Sequence, residues 1–183
     1  MLTDKQFKNN KAMITKNMRK ALNEQINAEL WSAYLYLSMS MDAEAKALRG
    51  IANWFFVQWM EEQDHARIFQ NYLNEQGEKV ELKAIDRVPL EWKDALEMFR
   101  DTLSHEKDVT AMIHNLMKMA MKEDDFETMS RLLWFVDEQV EEERSAEDLV
   151  KLLEAAGDDF SIINEIDGRL AGRKYNKASP LKQ

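Results

Sequence analysis

Cysteine is absent from the 183 residues, which excludes disulfides, iron–sulfur clusters and thiolate metal sites together. Any metal must then be held by oxygen and nitrogen. Glycine and proline are scarce, at five and two, too few for a chain of short strands and tight turns, so long helices are favoured. No apolar run reaches membrane-spanning length: the most apolar stretch, residues 51–60, is interrupted by Asn53 and Gln58. The opening MLTDKQFKNNKAMITK holds no signal-peptide core, so a soluble, cytoplasmic protein without a membrane partner is expected. Positive charge is also short, with 25 Lys and Arg against 34 Asp and Glu for a formal charge of −9. That balance disfavours nucleic acid as a partner, and Lys5, Lys8 and Lys11 of the basic N-terminal extension would neutralise few phosphates.

Hydrophobic residues make up 45% of the chain, enough for one domain with a large core. The apolar periodicity predicts helices over about 15–42, 45–76, 91–122 and 124–156, with a shorter one over about 160–171. Asp42 is the expected cap of the second helix and Gly77 its stop. Between Gly77 and Pro89 the chain is mixed and polar, too long for a turn and long enough to traverse a bundle. The other links are short and make antiparallel neighbours. The expected fold is all-α: a four-helix bundle with one long crossover between helices 2 and 3 and a short fifth C-terminal helix. Residues 1–13 read as a basic extension, 14–172 as the domain and 173–183 as a polar tail.

Each long helix carries an apolar stripe at steps of three and four, and each stripe is broken near its middle by metal-ligand side chains. The first runs Leu22, Ile26, Glu29, Ala33, Tyr36, and the second Ile51, Phe55, Gln58, Glu62, His65, Phe69, Tyr72. The third runs Phe99, Leu103, Glu106, Thr110, Ile113, and the fourth Leu132, Phe135, Gln139, Glu142, Ala146, Leu149. In four packed helices of similar length these midpoints meet in one layer. Four carboxylates, an imidazole and an amide would then share a dry core, where ionised groups repel one another and burial costs several kcal/mol each. No Lys or Arg stands at these seam positions, so a divalent metal is the economical counter-charge.

Glu62-x-x-His65 alone is a weak signal in a chain this acidic. Together with Glu29 and Glu106 it resembles the ferritin-like di-iron pattern, in which two helices give one Glu each and two give Glu-x-x-His. The segments NEQINAELWSAYLY (23–36) and WFVDEQ (134–139) followed by Glu141-Glu142-Glu143 are similar to non-haem bacterial ferritins, and the resemblance covers about residues 14–172. It implies that Glu29, Glu62 and His65 hold a first iron, that Glu62 bridges to a second iron on Glu106, and that Gln139 lies beside the second. Glu142 with Glu61, Glu138 and Glu141 would form a third, inner iron site, and Tyr36 and Trp134 would stand near the di-iron centre. Gln139-x-x-Glu142 departs from the symmetric Glu-x-x-His, which should leave the second iron more weakly held. Gln63 stands where bacterioferritins place a haem-ligating Met, so no haem is expected despite twelve methionines.

The resemblance implies a ferroxidase that oxidises Fe(II) with O2 or H2O2 and stores ferric mineral inside a closed homo-oligomeric cage of about 24 subunits. Other readings of the same residues stand beside it. Glu61, Glu138, Glu141 and Glu143 also fit solvated helix faces, Tyr36 and Trp134 fit plain core aromatics, and His105 and His114 have no ligand-spaced partner. A di-iron oxidase or peroxidase without storage, or a metal-free helical interaction protein, would share the polar layer.

Overall fold

The computed structural model describes residues 14–182, so the basic extension at 1–13 lies outside the described residues. Helix α1 spans Lys16–Ala45, α2 Arg49–Glu75, α3 Ala95–Lys122, α4 Phe126–Ala156 and α5 Phe160–Leu170, followed by a 3-10 turn at Ser179–Leu181. There is no strand among the described residues. Helices α1 and α2 form one hairpin, α3 and α4 the other, and residues 76–94 cross between them. This is the expected four-helix bundle with its fifth helix.

The boundaries follow local chemistry. Thr15, Asp94 and Asp125 cap α1, α3 and α4 by accepting from backbone N–H groups three residues on. Asp94 therefore starts the third helix, later than the residue 91 read from periodicity. At the end of α2, Gly77 takes φ +75° and Glu78 N–H returns to Leu73 O at 2.9 Å, the expected helix stop. The expected cap at Asp42 is corrected: α1 runs through it to Ala45, and Asp42 is buried, accepting from Trp92 N at 3.0 Å and pairing with Lys46. The N-terminus of α2 is satisfied from a distance instead, by Asp167 of α5, whose carboxylate accepts from Ile51 N at 2.8 Å.

The crossover is held against α1 along its length. Asn23 accepts from Glu81 N (2.6 Å) and donates to Lys79 O, while Asn27 accepts from Lys83 N (2.7 Å) and donates to Glu81 O. Farther along, Ser38 donates to Pro89 O at 2.6 Å. The segment read as a polar tail also packs, with Leu181 buried and Tyr175 Oη and Ala178 N both donating to Asp64.

Apolar packing falls into two clusters. One gathers Tyr36, Met39, Phe55, Phe99 and Leu153; the other gathers Leu22, Ile26, Phe69, Ile113, Leu132 and Phe135. Between them every long helix contributes polar residues, and that interruption locates the site.

Candidate metal centre

The layer contains Glu29 from α1, Gln58, Glu62 and His65 from α2, Glu106 from α3, and Gln139 and Glu142 from α4, all buried. Three and four residues are close to one helical turn, so Gln58, Glu62 and His65 stack along one face of α2. Glu29, Glu62 and His65 bring their ligand atoms within 4.8 Å of one another, and so do His65, Glu138 and Glu142. His65 is common to both groups. Its Nδ1 lies 3.4 Å from Glu62 Oε2 and its Nε2 3.9 Å from Glu138 Oε1, while the ring packs edge-on against Trp134 and Phe135.

Glu106 joins the layer from the other hairpin. Its carboxylate accepts from Tyr36 Oη and, at 3.2 Å, from Gln139 Nε2, and Gln139 also donates to Thr110 Oγ1 at 3.3 Å. Glu142 accepts from Gln58 Nε2 at 2.9 Å, and Glu29 from Gln25 Nε2 at 2.9 Å. Even so, Glu29 Oε2 and Glu62 Oε2 are buried with no hydrogen-bond partner. An orphaned buried acceptor costs about 1–3 kcal/mol, and with His65 Nδ1 no nearer than 3.4 Å to Glu62 Oε2 this group has the character of an incomplete coordination shell. A divalent cation fits this donor set of hard oxygens and one imidazole nitrogen.

Electrostatics agree with that geometry. Burial, then the neighbouring Glu62 charge, raises Glu29 to about 8, and burial followed by Glu142 raises Glu106 to about 8. Glu62 rises well above the usual carboxylate range, first through burial and then through Glu106 and Glu142. Tyr36 is likewise pushed up by burial and the Glu106 carboxylate, so it is a proton donor in the layer. Without a cation these carboxyls hold protons near neutrality, and binding a metal must release them.

The remaining expected residues are less uniform. Glu138 is half-buried and shares the His65 group, and burial raises its pKa. Glu61 is half-buried and raised to about 7 by burial, but it is paired with Arg173 Nη2 at 2.5 Å. Glu141 is exposed and belongs to neither group. His105, read as having no ligand-spaced partner, sits outside the layer: its Nε2 is 2.8 Å from Ser32 Oγ, and burial lowers its pKa to about 4. Of the supporting residues, Thr110 stands on the third stripe without a role, and Gln25 and Arg173 carry none from sequence. Gln25 stands one turn before Glu29 and Thr110 one turn after Glu106, which is a usable signal, whereas Arg173 lies in an aperiodic segment that offers none.

The ferritin-like domain family matches residues 19–156, the four helices that build this layer. The chain belongs to the ferritin family. Among ferritins, the bacterial non-heme ferritin of Staphylococcus haemolyticus is 37% identical over 165 residues, covering 90% of this chain and 99% of that protein. The Staphylococcus aureus protein of the same description is 35% identical with the same coverage. Of solved ferritin structures, the open-pore ferritin from the hyperthermophilic archaeon Archaeoglobus fulgidus superposes with a TM-score of 0.87 at 45% identity, covering 88% of this chain and 99% of that one. A closed form of the Archaeoglobus ferritin, engineered by site-directed mutagenesis, gives 0.88 at 44% identity, with 89% and 99% covered. Among the described residues, no helix of this ferritin is long and apolar enough to cross a membrane.

Proposed function

We propose that this ferritin is an iron-storage subunit that oxidises Fe(II) at the buried layer and retains the ferric product inside a closed cage. The observation that carries the reading is the buried group of Glu29, Glu62 and His65, whose ligand atoms lie within 4.8 Å of one another while Glu29 Oε2 and Glu62 Oε2 accept no hydrogen bond. Iron here is substrate. Glu29, Glu62 and His65 bind one ferrous ion, Glu62 reaches toward a second on Glu106, and Gln139 lies beside that second ion as a neutral, weaker donor. Deprotonation of these carboxyls on binding supplies charge that favours the ferric product.

Holding two ferrous ions together lets one oxidant take two electrons. Dioxygen with two electrons and two protons becomes hydrogen peroxide, and peroxide with two more of each becomes two waters. Hydrolysis of the ferric ions releases protons again. Glu142 and Glu138, which share His65 with the first group, would receive a third ion on the inner side, with Glu61 and Glu141 as flanking acids. The cage of about 24 subunits is supported by relatives that are ferritins along nearly their whole length.

The test is addition of Fe(II) in air to metal-free protein, followed in the near ultraviolet, with Glu62→Ala alongside and retained iron counted. Wild type should oxidise rapidly and retain far more than three ions per chain. Glu62→Ala should lose on the order of a hundredfold in initial rate, since one substitution removes both a ligand and the bridge. Oxidation without retention would instead identify a di-iron oxidase. Equal rates in the two proteins would remove the layer from the reaction.

A further inference from the structure

The side of the layer that carries Glu61 and Glu142 is faced by a cation that belongs to the protein. Beyond α5 the chain turns back along α2, and Asn53 Nδ2 donates to Arg173 O at 3.0 Å, fixing the backbone there. The Arg173 guanidinium lies over the Trp54 ring at 4.6 Å and donates through Nη1 to Trp54 O at 3.1 Å. Its Nη2 donates to Gln58 Oε1 and to Glu61 Oε2. Gln58, with its carbonyl oxygen engaged, presents its amide nitrogen to Glu142 Oε2 at 2.9 Å. One side chain thus holds Glu61 directly and orients the amide that caps Glu142.

We infer that Arg173, delivered by the docked C-terminal segment, is a positioning residue that competes with metal for the inner carboxylates: it occupies Glu61 and turns the Gln58 amide onto Glu142. The inference rests on the metal-centre reading above and deepens it. A planar guanidinium with fork geometry satisfies a carboxylate and an amide oxygen together, which a point charge does not. An ion arriving at Glu138 and Glu142 finds Glu61 engaged and one Glu142 oxygen already accepting a hydrogen bond. To recruit Glu61 it must displace the guanidinium, so the inner position binds weakly and passes its ion onward, while the Glu29, Glu62, His65 and Glu106 group stays tight.

The experiment is anaerobic calorimetric titration of the assembled, metal-free protein with Co(II), comparing wild type with Arg173→Gln, Arg173→Lys and the double variant Arg173→Gln/Glu61→Gln. Arg173→Gln should bind an additional inner ion on the order of tenfold more tightly, as expected when a competing internal ligand is removed, with the tighter ions unchanged. Arg173→Lys, which keeps the charge but not the fork and preserves folding if the glutamine variant does not assemble, should show a smaller gain. The double variant should keep only the part of the gain that comes from releasing the Gln58 amide from Glu142, and so fall well short of Arg173→Gln. No gain in either single variant, or a gain in the double variant as large as in Arg173→Gln, would overturn the role of Arg173. No Co(II) bound by any of the four proteins would overturn the metal centre itself and this inference with it.

Discussion

Buried carboxyls set the pH response of the metal-free protein. Glu29 and Glu106 hold their protons up to about 8, against 4.5 for the ordinary side chain, so the folded state binds protons more tightly than the unfolded chain. Their favourable contribution is complete below about 4.5 and is lost as pH rises toward 8, where the unfolded chain ionises freely and the folded layer does not. Metal-free protein should therefore unfold at progressively lower urea concentration from pH 5 to pH 8. Glu29→Gln should flatten that slope, and Co(II) should reverse it by taking the place of the protons. A denaturation midpoint independent of pH over that range would contradict the burial of these groups. The same residues show how far spacing can be read: Glu29, Glu62, His65 and Glu106 lie in apolar stripes and meet in the layer. Glu61 and Glu141 sit next to seam residues but point to an ion pair and to solvent respectively.

Helix boundaries depend on caps, and here one cap comes from far away in the chain. Leu48 precedes α2 without a side-chain hydrogen bond, and Asp167 of α5 supplies the acceptor for Ile51 N. The close approach leaves no room for a side chain at Gly50, where an added Cβ would stand 1.6 Å from Asp167 O. Gly50→Ala must push α5 away from α2, at a cost of about 1–3 kcal/mol from overpacking. Thermal denaturation should show the loss, and hydrogen exchange should show deprotection of residues 160–170 while α3 keeps its protection; unchanged exchange in α5 would refute the contact. Periodicity predicted α5 as an element, yet nothing in its own sequence says that it caps another helix. Asp42 illustrates the converse, because a good capping residue lies inside α1 when its carboxylate is wanted by Trp92 N in the crossover.

Burial within one subunit leaves α5 unfinished. Ile166 is buried and Ile163 and Leu170 pack on the core, but Phe160 is 72% and Ile162 44% exposed. Apolar exposure of this kind on a helix that also touches α2 and α4 supports burial against further subunits in the proposed cage. Phe160→Glu should yield assemblies of lower mass by light scattering at neutral pH, with helix content by circular dichroism unchanged. A full-size cage from the variant would place the contact elsewhere.

Helix number, the single long crossover and the polar layer follow from local periodicity, because a stripe broken at the same height in four helices has one packing solution that keeps apolar residues inside. Gln139 could be placed in that layer by its seam position and Tyr36 near it by the resemblance to bacterial ferritins, and both donate hydrogen bonds to Glu106. Folding alone brought Arg173 to Glu61 across 112 residues, Asp167 to the start of α2, and Asn23 and Asn27 to the crossover. Such contacts join segments of unrelated period through polar groups, and a polar residue written in a sequence does not specify its partner. Only when the apolar faces have closed are the remaining donors and acceptors brought within reach, and burial then forces each of them to find a partner or to wait for an ion.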